Sequence, residues 1–139
     1  MNLKDFIRSI QDYPKKGILF RDITTLIKDK DAFAEAINQI VERSKKYNFN
    51  KIAAIESRGF VFASAVSYIL KKPFIMLRKK NKLPAEVYSV DFELEYGTAT
   101  IEVHKDSFEK NDNVLIIDDL IATGGTAEAA AKLIKMSDA

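Results

Sequence analysis

An α/β fold with a central parallel sheet is predicted, and three stretches of the sequence predict it. Val114–Ile117 is a short apolar run suited to a strand buried on both faces, and a small, hydroxylated turn and an amphipathic helix follow it. Lys51–Ile55 repeats this plan, leading through Glu56, Ser57, Arg58 and Gly59 into a helix that carries Phe62, Ala65, Val66 and Ile69. Tyr88 to His104 instead alternates as a β-hairpin does, with Tyr88, Val90, Phe92 and Leu94 on one side, a turn near Gly97, then Ile101 and Val103. In an open sheet of this kind ligands bind outside the carboxyl ends of the strands, so the two polar turns should face one crevice.

Composition narrows the partners. A chain of 139 residues, 47% of them hydrophobic, can bury one sizeable core, so a single domain over 1–139 is expected. A formal charge of +2 is too small for a general nucleic-acid or membrane binder. With no cysteine there is neither disulfide nor thiolate metal site, and MNLKDFIRS has no apolar leader. No window reaches transmembrane length, and a cytoplasmic protein is the expectation.

The remaining elements follow in order. Leu3, Phe6, Ile7 and Ile10 stand at helical spacing, predicting a short helix over Met1–Tyr13 that Pro14 ends. In Pro14–Thr24 a Pro and Gly turn leads to Ile18, Leu19 and Phe20, and Arg21 with Asp22 reads as a surface ion pair. Asp31 is the expected N-cap of a helix to about Lys46, with Phe33, Ile37, Ile40 and Val41 as its buried stripe. Phe74–Leu77 is the next strand; Arg78, Lys79, Lys80 and Lys82 leave its carboxyl end, where they could neutralise an anionic leaving group. Glu93 and Glu102 read as solvent-facing hairpin carboxylates and His104 as a strand-end residue. A last helix is expected from Thr126 to about Met136.

The chemistry concentrates after Ile117. Asp118 and Asp119 offer carboxylates at a strand end, suited to accept hydroxyls of a sugar. Ala122, Thr123, Gly124, Gly125 and Thr126 form a turn whose glycines let successive N–H groups face inward, ahead of the positive end of a helix dipole. By its residues alone this is either a cradle for a phosphate monoester or a tight strand-to-helix turn with two solvated or capping aspartates. Lysine is absent from the loop, which excludes the nucleoside-triphosphate P-loop, and no G-x-G-x-x-G suggests a dinucleotide fold.

The run VLIIDDLIATGGT closely resembles the phosphoribosyl-pyrophosphate signature of the type I phosphoribosyltransferases. That resemblance implies that Asp118 and Asp119 hold the ribose hydroxyls and that the loop Ala122–Thr126 binds the ribose phosphate. ESRGF resembles the family's pyrophosphate loop, implying a cis peptide between Glu56 and Ser57, backbone N–H groups turned toward the diphosphate, and a grip from Arg58. The run from Arg78 through Lys79 and Lys82 to Pro84 resembles the family's RKxGKLP, with Asn81 standing where glycine is common. PKKGILFRDIT is similar to the amino-terminal segment of adenine phosphoribosyltransferases, which implies a base pocket from Leu19, Phe20 and Arg21 within a segment 1–26. LEYGT resembles the tip of that group's mobile lid, here 78–104, implying proton transfer at the purine by Glu95 and shielding by Tyr96.

The resemblance covers nearly the whole chain, with its motifs in family order. It implies the type I phosphoribosyltransferase fold and transfer of a phosphoribosyl group from phosphoribosyl pyrophosphate (PRPP) to adenine. Magnesium, held mostly through substrate oxygens, is the expected cofactor, and a homodimer the expected assembly. The sequence ends at Ala139, where the family continues into further strands, so the last strands are expected to be missing and a sheet edge unpaired. Two other readings are a sensor of PRPP or a purine on the same fold, and an enzyme for guanine, hypoxanthine or xanthine. Retained Glu95 and Tyr96 weigh against the sensor.

Overall fold

The structure, a computed structural model, describes residues 1–94, 97–119 and 125–139. These form two compact units, 1–45 and 46–139.

In the first unit the expected N-terminal helix is replaced by one 3-10 turn, Leu3–Phe6, and a two-stranded antiparallel ribbon. Strands β1 (Arg8–Gln11) and β2 (Leu19–Asp22) pair with Ser9 opposite Arg21. The turn between them explains the outcome. Asp12 and Gly17 both adopt positive φ, +58° and +89°, and the Asp12 carboxylate accepts the Gly17 N–H at 2.8 Å, closing a loop that contains the cis bond Tyr13–Pro14. A short helix α1 (Thr24–Ile27) and the longer α2 (Lys30–Ser44) follow. Asp29, not Asp31, caps α2, accepting the N–H groups of Asp31 and Ala32 at 3.0 Å each. The buried face of α2 comprises Ala32, Ala36, Ile37 and Ser44, while Phe33, Ile40 and Val41 are half-buried.

The second unit contains a five-stranded sheet in the order β5-β6-β4-β3-β7. Strands β3 (Lys51–Ile55), β4 (Phe74–Lys79) and β7 (Val114–Ile117) run parallel, with Ile55 beside Leu77 and Ala54 beside both Met76 and Ile117. The hairpin β5 (Val87–Leu94) and β6 (Gly97–His104) joins antiparallel to β4 through Arg78–Glu102 and Lys79–Ile101. Helix α3 (Arg58–Leu70) buries Phe62, Ala63 and Val66, and its Gly59 lies against Ala54. Helix α4 (Gly125–Lys135) buries Ala129, Ala130, Leu133 and Ile134 in one core with Ala53, Ile55, Leu77, Ile101 and Val103. Alternate residues of β3 thus join different packing groups, and 52–55 are wholly buried because both sides of this strand are covered.

Candidate active site

Three parallel strands in register end together, and the chemistry-bearing residues follow them directly. Glu56, Ser57 and Arg58 succeed β3, Arg78 and Lys79 close β4, and Asp118 and Asp119 succeed β7. The parallel pairing therefore brings these residues to one edge of the second unit.

The peptide between Glu56 and Ser57 is cis. Beyond it the chain enters α3 at once, and Arg58, its first residue, reaches Asp119 with Nε 3.0 Å from Oδ2. That Oδ2 is buried and, among the described residues, accepts no aligned hydrogen bond, so the contact with Arg58 is one of charge and not of directed bonding. Arg58 thus faces the acidic pair, although the sequence assigns it to the diphosphate. Asp118 Oδ1 accepts the N–H of Asp119 at 2.8 Å. Burial, then a hydrogen bond and repulsion from Asp119, push the Asp118 carboxyl up to about 6, against which the Arg58 charge acts.

The Glu56 carboxylate turns to the cationic strand end. Its Oε1 accepts the Lys79 N–H at 2.7 Å and lies 3.3 Å from Arg78 Nε. This carboxylate is suited to orienting cations and not to contacting an anion itself. Lys79 and Lys82 are exposed, and the Lys82 N–H donates to the Lys79 carbonyl at 3.3 Å. Gly125 and Thr126 open α4, one residue earlier than expected. Glu95, Tyr96, Ala122, Thr123 and Gly124 lie outside the described residues.

Leu19, Phe20 and Arg21 belong to the first unit, on β2. Leu19 is exposed, Phe20 meets Tyr13 edge to face at 5.1 Å, and Arg21 Nη1 donates to Ser9 Oγ at 2.6 Å. Arg21 and Asp22 do not form the surface pair read from their adjacency. Successive strand residues point to opposite sides, and Asp22 is buried against Arg8, whose Nε donates to it at 2.9 Å, and against Thr24. Those bonds, the ones from Thr24 foremost, hold Asp22 down to about 2.

One residue of this region carried no functional signal in the sequence. Glu102, read as solvent-facing, is buried; it accepts the Asn81 N–H at 2.9 Å and the Ser89 hydroxyl at 2.6 Å. Gly59, part of the ESRGF match, lies so close to the acidic pair that a Cβ there would stand 3.5 Å from Asp118 Oδ1. His104 is a strand-end residue as expected, its Nε2 accepting the Ala85 N–H at 3.2 Å.

A family model described as phosphoribosyl transferase domain matches residues 23–139. The chain belongs to this family. It is 85% identical over 139 residues to an adenine phosphoribosyltransferase of Pelagibacter ubique, covering 100% of this chain and 79% of that one. Among solved structures, adenine phosphoribosyltransferase from Thermoanaerobacter pseudethanolicus superposes with a TM-score of 0.95 at 46% identity, over 98% of this chain and 79% of that chain. The adenine phosphoribosyltransferase from Trypanosoma brucei, solved with AMP, pyrophosphate and ribose-5-phosphate, has a TM-score of 0.89 at 25% identity, over 99% of this chain and 61% of that one.

Proposed function

We propose that this chain transfers the phosphoribosyl group of PRPP to adenine, giving AMP and pyrophosphate. The observation that carries the reading is the convergence of an acidic pair, a cis-peptide turn and a cationic strand end at three adjacent strand termini. The 85% identity to an adenine phosphoribosyltransferase supplies adenine as the base.

In this reaction the purine forms a bond to the anomeric carbon of the ribose as the bond from that carbon to the diphosphate oxygen breaks. The transition state has oxocarbenium character, so it needs positioning, leaving-group neutralisation and one proton transfer more than a nucleophile. Asp118 and Asp119 accept the ribose hydroxyls, and the loop 122–126 with the start of α4 binds the 5-phosphate. Arg58, Arg78, Lys79 and Lys82, with the N–H groups after the Glu56–Ser57 bond, hold the departing diphosphate. Leu19, Phe20 and Arg21 form the base pocket. Glu95 takes the purine proton, and the lid 78–104, with Tyr96, excludes the water that would otherwise capture the sugar cation.

Magnesium held mostly through oxygens of the substrate fits this strand end, where Asp118 and Asp119 supply hard acidic surroundings, and among the described residues no group of three or more acidic, histidine or cysteine side chains forms a metal cage. When bound, the ion supplies charge neutralisation on substrate oxygens. Among the described residues no helix is long and apolar enough to cross a membrane. A cytoplasmic homodimer completes the proposal.

The test is chromatographic detection of AMP after incubation with adenine, PRPP and magnesium, with guanine, hypoxanthine and xanthine in parallel. AMP formed in preference to the other nucleotides is expected. Preference for another base would overturn adenine as substrate, and PRPP binding without any product would overturn catalysis in favour of sensing.

A further inference from the structure

The cationic loop that leaves β4 is fastened at two points by carboxylates from other strands. Glu56, after β3, takes the Lys79 N–H at 2.7 Å. Glu102, on β6, takes the Asn81 N–H at 2.9 Å through Oε1, while its Oε2 accepts the Ser89 hydroxyl at 2.6 Å. Register explains the second clamp. Arg78 on β4, Glu102 on β6 and Ser89 on β5 are direct cross-strand neighbours, so the carboxylate is central in a row of three. Asn81 adopts φ +69°, a left-handed conformation that asparagine tolerates better than most side chains.

A carboxylate here opposes anion binding if it acts only through charge, since it sits against the loop assigned to the diphosphate. Its burial also demands partners, and both its oxygens have them. The Ser89 and Asn81 bonds hold its pKa below the usual glutamate range, so it is ionised at neutral pH.

We propose that Glu102 is a positioning residue: by bonding Asn81 and Ser89 together it couples the cationic loop to the hairpin and sets the loop geometry for diphosphate. The proposal rests on the phosphoribosyltransfer reading above. Glutamine can preserve both bonds, its carbonyl accepting from Asn81 and its amide donating to the Ser89 oxygen, whereas alanine preserves neither.

The experiment is titration calorimetry of inorganic pyrophosphate with magnesium on the wild type, Glu102→Ala and Glu102→Gln, alongside hydrogen exchange at the Asn81 amide. The wild type is expected to bind. Glu102→Ala should weaken binding about tenfold, the value of one charge-assisted bond, and raise KM for PRPP similarly while leaving KM for adenine unchanged. Asn81 exchange should quicken while the amides of β3 stay protected, and Glu102→Gln should restore wild-type affinity. Equal affinity in all three proteins would overturn the proposal and leave phosphoribosyl transfer standing. Equal strengthening by alanine and glutamine would overturn it in favour of a purely electrostatic role, and equal weakening would overturn it by showing that the two hydrogen bonds, which glutamine can keep, are not what the loop requires. A wild type that makes AMP without measurable pyrophosphate binding would overturn the clamp as an anion device, and one that does neither would overturn the functional reading with it.

Discussion

Gly59 and Asp118 approach so closely that a Cβ on Gly59 would stand 3.5 Å from Asp118 Oδ1 and 3.3 Å from the Ile117 carbonyl oxygen. The first turn of α3 therefore lies directly against the end of β7, and the absence of a side chain lets it do so. Gly59→Ala would force the Ile117 carbonyl to move by a few tenths of an ångström, and Asp118 follows it in the chain. The expected result is a destabilisation of roughly 1–2 kcal/mol together with weaker PRPP binding, read by thermal melting and calorimetry. A variant with wild-type affinity and melting temperature would mean that β7 yields without consequence.

Asp118 predicts a pH dependence. Its carboxyl is raised from the ordinary 3.8 to about 6, first by burial and then by Asp119. The folded chain therefore holds this proton more tightly than the unfolded chain, and the group's contribution to stability falls as pH rises from about 4 to about 6. Binding should move in the opposite direction, since ribose hydroxyls donate best to the ionised carboxylate. PRPP affinity is expected to climb through about pH 6, and Asp118→Asn should lose the part of this step that belongs to the enzyme and not to the ligand's own phosphates. Identical pH profiles for the two proteins would remove Asp118 from ribose binding. Replacing both Asp118 and Asp119 by alanine should abolish binding altogether.

Glu95 separates chemistry from binding. Glu95→Gln keeps the size and polarity of the side chain but cannot accept a proton as a carboxylate does, so kcat should fall by about 100-fold or more while the Kd for PRPP changes little. Equal turnover, measured as AMP formed per enzyme, would take Glu95 out of the mechanism.

The parallel strands were legible because their signals are local: short apolar runs, each ending in polar residues, read as buried strands whatever packs on them. The hairpin was legible from its alternation, yet the same rule misplaced Glu102. Alternation sends Glu102 away from Ile101 and Val103, but that side is covered too, because the chain after β4 brings Asn81 back against it. Leu3, Phe6, Ile7 and Ile10 do match a helix, and the pairing of Arg8–Gln11 with Leu19–Asp22 overrides that spacing. Similarly, Asp29 and Asp31 are equivalent as caps on paper. Only the extended backbone of Asp29, at φ −91° and ψ 115°, decides between them.

At the opposite ends of β3 and β7 a polar network gives a stability prediction that leaves the chemistry alone. Lys51 Nζ lies 2.7 Å from Asp112 Oδ2, with the aspartate side chain 7% exposed, and Asp112 also accepts from Asn50 Nδ2 at 2.8 Å and the Glu109 N–H at 2.7 Å. Asn50 Oδ1 in turn accepts the Asn113 N–H at 2.8 Å, tying the starts of the two strands together. These contacts, the Glu109 bond foremost, hold Asp112 down to about 2, so its contribution is complete above the ordinary 3.8 and is lost as pH falls toward 2. Asp112→Ala would leave the largely buried Lys51 ammonium without its carboxylate, at a cost on the order of 3 kcal/mol. The variant should melt several degrees lower at neutral pH, the gap from wild type should shrink in acid, and AMP formation well below the melting temperature should be unchanged. A gap that persisted undiminished down to about pH 2 would show that the loss came from packing and not from the ionised carboxylate.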